Sequence, residues 1–109
     1  FIKIIIYNIT MKINTQTKLK NFLGETLTDN KEDATIGKAI ANMLISSEEK
    51  GKMKLFVLAQ KFYNDKNVEL DKPDFELVKK VVGETKIYNA LVAGQVELFL
   101  SELKNETAK

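Results

Sequence analysis

The sequence predicts a mainly helical fold, α+β by inventory, with four to five helices, an N-terminal β-strand and a short second strand at 68–70. Three observations carry that expectation. In the opening "FIKIIIYNITMKIN", Ile5, Tyr7, Ile9, Met11 and Ile13 are apolar, while Asn8, Thr10, Lys12 and Asn14 are polar. This is the period-2 pattern of a half-buried strand. From residue 35 onward, apolar residues recur at the three- and four-residue spacing of amphipathic helices. Finally, 109 residues with 44% hydrophobic and 29% charged side chains suit a single domain, 1–109, with one modest core and no linker.

The first strand, 1–14, keeps its phase straight through Met11. That favours a real strand over a translated leader ahead of a start at Met11, which is the alternative for residues 1–10. No small-residue cleavage site follows the run, and it falls short of the ~20 apolar residues needed to cross a hydrocarbon core. Neither a signal nor an anchor is expected, and a cytoplasmic protein with no membrane partner is. The strand is expected to pair with residues 68–70, or with its own copy in a homodimer.

The remaining elements follow in order. "TQTKLKNFL", 15–23, is expected to begin a short helix with Leu19, Phe22 and Leu23 on one side and Gly24 closing it. Residues 25–33, polar and acidic, read as a loop. Thr35 or Asp33 caps a helix bearing Ile36, Ile40, Met43 and Leu44, which breaks at Gly51. A second helix, about 52–64, turns Leu55, Leu58, Ala59 and Phe62 inward. Met53, Phe56, Val57 and Tyr63 spread around its cylinder, so burial on more than one side is expected.

Val68 and Leu70 flank Glu69 in a mini-strand. Asp71 or Lys72 then caps a helix with Pro73 in its first turn, where the missing N–H costs nothing. Phe75, Val78, Val81 and Val82 face inward, and Gly83 ends it. Thr85 is expected to cap the last and longest helix, roughly 86–103. Its wide apolar arc and the small residues Ala90, Ala93 and Gly94 predict that it is the central one.

Composition narrows the function classes. The chain has no cysteine and no histidine, which removes thiol chemistry, the commonest metal ligands and the usual general base near neutral pH. A catalytic role is not expected, and neither is a cofactor. Asp29, Asn30, Glu32 and Asp33 lack the spacing and central glycine of a calcium loop, so no metal is expected either. All 17 basic residues are lysine, which disfavours bidentate reading of guanine, and a net charge of +2 is too small to imply nucleic acid.

Candidate contact residues fall into three groups. Lys50, Lys52, Lys54 and Lys61, with Lys79 and Lys80, form a basic patch able to hold phosphates without sequence preference; Glu48 and Glu49 dilute it. Phe56, Phe62 and Tyr63 are too close in one helix to be buried against a single neighbour, so either the helix is central or one aromatic is an exposed anchor. Glu25, Asp29, Glu32 and Asp33 of the 25–33 loop, with the more distant Glu48, outline a phosphate mimic, although mimicry usually needs a stronger net negative charge. The helices flanking "GET" also have the outline of a helix-turn-helix presenting Thr85, Lys86, Tyr88 and Asn89, although the following "ALVAGQVELFL" reads as core.

Residues 51–83, "GKMKLFVLAQKFYNDKNVELDKPDFELVKKVVG", and 88–104, "YNALVAGQVELFLSELK", resemble small proteins encoded by bacteriophages and prophages of AT-rich hosts, anti-CRISPR proteins among them. The likeness is one of size, style and helix arrangement, and it carries no functional residues over. It implies a partner-binding protein without catalysis, one that obstructs a host protein such as a CRISPR nuclease. The expected contact surface combines Lys50, Lys52, Lys54, Phe56, Lys61 and Tyr63 with Glu25, Asp29, Glu32 and Asp33. The alternatives are a nucleic-acid-binding accessory of phage replication or gene regulation, using the lysines, and an oligomeric assembly factor.

Overall fold

The computed structural model describes residues 10–103. In chain order these form β1 (Thr10–Asn14), β2 (Thr28–Asp29), β3 (Glu32–Asp33), α1 (Ile36–Ile45), α2 (Lys52–Asn64), β4 (Asn67–Asp71), α3 (Lys72–Gly83) and α4 (Ala90–Ser101). The fold is α+β, with about half of the described residues helical and two small antiparallel sheets. Residues 1–9 of the expected first strand, and with them the leader question, lie outside the described residues.

β1 pairs antiparallel with β4, Met11 opposite Leu70 and Ile13 opposite Val68. The alternation read from the sequence therefore resolves onto the 68–70 segment. Ile13, Val68 and Leu70 are buried, while Lys12 and Glu69 meet on the wet face at 3.9 Å. An exposed pair at that distance adds little; the sheet is held by its apolar face.

α1 is the central helix. Ile36, Ala39, Ile40, Ala41, Met43 and Leu44 are all buried, and it packs against α2, α3 and α4. Gly37 lets neighbouring backbone approach closely, a Cβ there standing 2.6 Å from the Phe62 carbonyl oxygen, and the small side chains of Ala39 and Ala41 are buried. Thr35 caps it, its hydroxyl accepting from the Lys38 N–H at 3.3 Å. Asp71 likewise caps α3, accepting from the Asp74 N–H at 2.9 Å, with Pro73 in the first turn as expected.

Two helical expectations are corrected. The last helix starts at Ala90, capped by Asn89 and not by Thr85, and is peripheral: only Val96 and Leu100 are buried. The Thr85 hydroxyl accepts from the Ile87 N–H at 3.3 Å, a local turn that competes with helix. No helix forms over 15–23, so there are four among the described residues. There the backbone pairs at long range instead. The Leu19 N–H donates to the Ala34 carbonyl (2.9 Å) and the Leu19 carbonyl accepts from the Leu27 N–H (2.8 Å). Leu19 is buried, but Phe22 and Leu23 are 98% and 82% exposed.

The acidic loop is a β-hairpin. β2 pairs with β3, Thr28 opposite Asp33 and Asp29 opposite Glu32. Asn30 (φ 53) and Lys31 (φ 69) supply the two left-handed positions that a tight hairpin turn requires. A lysine at the second of these positions hides the signal, which in sequence is an Asn-Gly or Asp-Gly pair.

Thr15 joins three elements just past β1. It is the buried polar residue among the described ones, at 1% exposure. Its hydroxyl donates to the carbonyls of Asp65 and Lys66 at the end of α2, and its own carbonyl accepts from the Gly37 N–H at 3.0 Å. Thr15→Val keeps the shape and removes the hydroxyl donor. The Lys66 carbonyl still accepts from the Thr15 N–H at 3.0 Å, while the Asp65 carbonyl loses this partner, with an expected loss of about 1–3 kcal/mol. Equilibrium urea unfolding checks this; a loss under about 0.5 kcal/mol would place water at the Asp65 carbonyl.

Candidate functional site

The helical period sorts the exposed residues of α2 onto two flanks. Leu55, Leu58, Ala59 and Phe62 turn inward. Phe56 and Tyr63 emerge on the flank towards α1, 56% and 59% exposed, and there they line a groove with Ala41, Ile45 and Ala59. Lys54 and Lys61 fall on the other flank, across the exposed Met53 and Val57. The expectation that α2 is buried on several sides is thus corrected. One face is buried, and both outer aromatics are in solvent because α1 covers a single stripe.

The lysines do not act as one patch. Lys54 Nζ lies 2.6 Å from Asp74 Oδ1, and that hydrogen bond holds its amine above the usual lysine range. Lys80 pairs with Glu49 at 3.2 Å, and Lys52 Nζ donates to the Ser47 carbonyl at 3.0 Å. Lys79 lies 5.5 Å from the centre of the Phe75 ring. Lys50 and Lys61 are exposed, with no ion pair among the described residues. This arrangement spreads and compensates the positive charge that a phosphate backbone would need concentrated.

The acidic hairpin does approach the aromatic flank, and Lys38 on α1 is the joint. Its Nζ lies 2.8 Å from Glu32 Oε1. That bond holds the Lys38 amine above its ordinary value, and the fields of Glu32, Tyr63 and Asp29 act in the same direction. The same bond lowers the Glu32 carboxyl. Asp33 pairs with Lys18 at 3.0 Å, and Glu25 Oε1 accepts from Asn21 Nδ2 at 3.0 Å. Glu25 therefore belongs to the neighbouring 21–25 turn, while Asp29, Glu32 and Asp33 share the hairpin.

The helix-turn-helix outline is not kept. Six residues, 84–89, separate α3 from α4, and Thr85 and Lys86 lie in that connection. The Tyr88 hydroxyl accepts from Asn42 Nδ2 of α1 at 2.9 Å, which ties this residue back onto the body of the fold.

Two further features escaped the sequence reading. The turn 21–25 is a stiff presentation device. The Asn21 side chain accepts from the N–H groups of Leu23 (2.8 Å) and Glu25 (3.0 Å), and Gly24 takes φ 85, a left-handed position suited to glycine. Gln95 of α4 grips its base: its Oε1 accepts from the Lys20 N–H at 2.9 Å while its Nε2 donates to the Lys20 carbonyl. Phe22 and Leu23 are thereby held in water at the tip. The second feature is a cleft of about 360 Å³ between the hairpin, α1 and the start of α4. Neither could be read from local pattern, since both depend on pairings between distant segments.

The fold and its exposed groups describe a small α+β protein with an apolar groove beside an acidic hairpin. Comparison with family models, with curated proteins and with solved structures returned no match to this chain. No helix among the described residues is long and apolar enough to cross a membrane.

Proposed function

We propose that this chain is a non-enzymatic interaction protein that binds and obstructs another protein through the α1–α2 groove and the adjoining hairpin. The observation that carries the reading is the pair Phe56 and Tyr63, both more than half exposed on one flank of α2 beside Ile45. Large aromatics held at the surface by a rigid helix are the usual anchors of protein–protein interfaces. The resemblance to phage-encoded proteins favours a host protein as the partner, with a CRISPR nuclease the first to test. The dispersed, paired lysines rank nucleic-acid binding second.

The test is a titration of the purified chain into target-cleavage assays with a panel of CRISPR effector nucleases, run beside Phe56→Glu and Tyr63→Glu. Inhibition saturating at a fixed stoichiometry is expected, with each charge substitution weakening it at least about tenfold, the scale of an interface anchor. Unchanged cleavage across the panel, with no complex on size exclusion, rejects the nuclease target. Full inhibition by both variants moves the contact surface elsewhere.

A further inference from the structure

We infer that the cleft between the hairpin and the start of α4 is a seat for an arginine side chain of the partner protein. The inference rests on reading the chain as a protein-binding module. The cleft, about 360 Å³, lies at the lower end of the range for ligand sites. Leu27, Leu91, Val92 and the Tyr88 ring line it, with Asp29 and Asn42 among its polar groups. Asn42 also lines the α1–α2 groove, so the two concavities adjoin across the outer face of α1 and one partner can occupy both.

Charge selects the occupant. Glu32 is bonded to Lys38 and Asp33 to Lys18, whereas Asp29 has no ion pair among the described residues. It therefore stands beside a cleft of mixed lining as a carboxylate without a direct partner among those residues, although its field reaches Lys38. Lys38 also lines the cleft, but its ammonium is compensated by Glu32 at 2.8 Å. Asn42 spends its amide N–H on Tyr88 and keeps its Oδ1 open as an acceptor among the described residues.

A guanidinium fits this set. Its several in-plane donors serve Asp29 and the Asn42 carbonyl together, its face stacks on Tyr88, and its methylene stem lies along Leu27, Leu91 and Val92. An ammonium, a compact and strongly hydrated point charge, uses less of the site. The 109 residues hold no arginine, so no side chain among them is the occupant.

The test uses N-acetyl-arginine amide and its neutral isostere N-acetyl-citrulline amide, each titrated into the full chain and followed by amide chemical shifts. Arginine amide is expected to move the Asp29, Asn42, Tyr88, Asn89 and Leu91 signals in a saturable way, and citrulline amide to bind at least about fivefold more weakly. Asp29→Asn should remove that preference, and a melting curve will show whether the variant is folded. Equal binding of the two amides, shifts confined to other residues, or no shift at all overturns the proposal, and the wild-type titration decides this without any variant. Arginine binding in the cleft without nuclease inhibition would reject only the proposed target. Inhibition sensitive to Phe56→Glu without arginine binding would reject only the cleft.

Discussion

Gly37→Ala is expected to destabilise the protein by about 3 kcal/mol or more, at the upper end for an overpacked site. In an open first turn of a helix the same change would stabilise by about 0.5–1 kcal/mol, so the sign itself is diagnostic. A Cβ at Gly37 would stand 2.5 Å from Thr15 Cβ, 2.6 Å from the Phe62 carbonyl oxygen and 2.9 Å from the Thr15 carbonyl oxygen. Two of these are backbone atoms, and Thr15 is fixed by its bonds to Asp65 and Lys66, so no flexible side chain can swing aside. The whole junction of β1, α1 and α2 must open instead. Small domains hold roughly 5–15 kcal/mol in total, so a large part of the stability is at stake. Urea unfolding of the two proteins measures it. A variant as stable as the parent would mean that α1 does not approach Thr15 this closely.

Phe62→Ala is expected to cost about 3–5 kcal/mol, the range for removing a buried aromatic. Phe62 is 1% exposed and sits on the stripe of α2 that faces the core. Its neighbour Tyr63 and the earlier Phe56 offer an internal contrast. Each is more than half exposed, and truncation of either to alanine should change stability by no more than about 0.5–1 kcal/mol. Three aromatics within eight residues thus divide into one that holds the fold and two that are free to hold something else. Thermal melts of the three variants side by side give the ordering. If Tyr63→Ala proved as damaging as Phe62→Ala, the aromatic flank would be core, and its role as a contact surface would fall with it.

The pattern of what the sequence disclosed follows the range of the interactions. α1, α2 and α3 are written locally: their apolar stripes and the caps at Thr35 and Asp71 are set by residues within a turn or two. The strand alternation at 10–14 and 67–71 is equally local, and only its pairing had to be chosen between two partners. Residues 15–34 are different. Leu19 exchanges backbone bonds with Leu27 and Ala34, so what resembles the start of a helix is drawn into an irregular braid, and Phe22 and Leu23 exchange an expected inner face for open water. The hairpin at 28–33 has a lysine where glycine would have announced the turn.

The last helix misled through composition. An apolar sequence normally implies burial all round, yet α1, with its small residues, took the central place. Of the candidate site, the anchor aromatics and the acidic hairpin were legible as residues. Their meeting through Lys38, the cleft lined by Tyr88, and the separation of Lys54 and Lys61 onto another flank are consequences of packing.

The pairing of β1 with β4 also sets a timetable for synthesis. Thr15, which closes that sheet, bonds to Lys66, 51 positions further along the chain. Bringing such distant positions together costs about 3.5 kcal/mol of chain entropy from loop length alone, so contacts between α1 and α2, close in sequence, have the kinetic advantage. At a translation rate of about 5–20 residues per second, β1 emerges from the ribosome about 3–10 s before its partner strand does. Through that interval Met11 and Ile13 form a bare strand edge that any neighbouring nascent chain can reach. Lys12 between them is the charge best placed to discourage such a union.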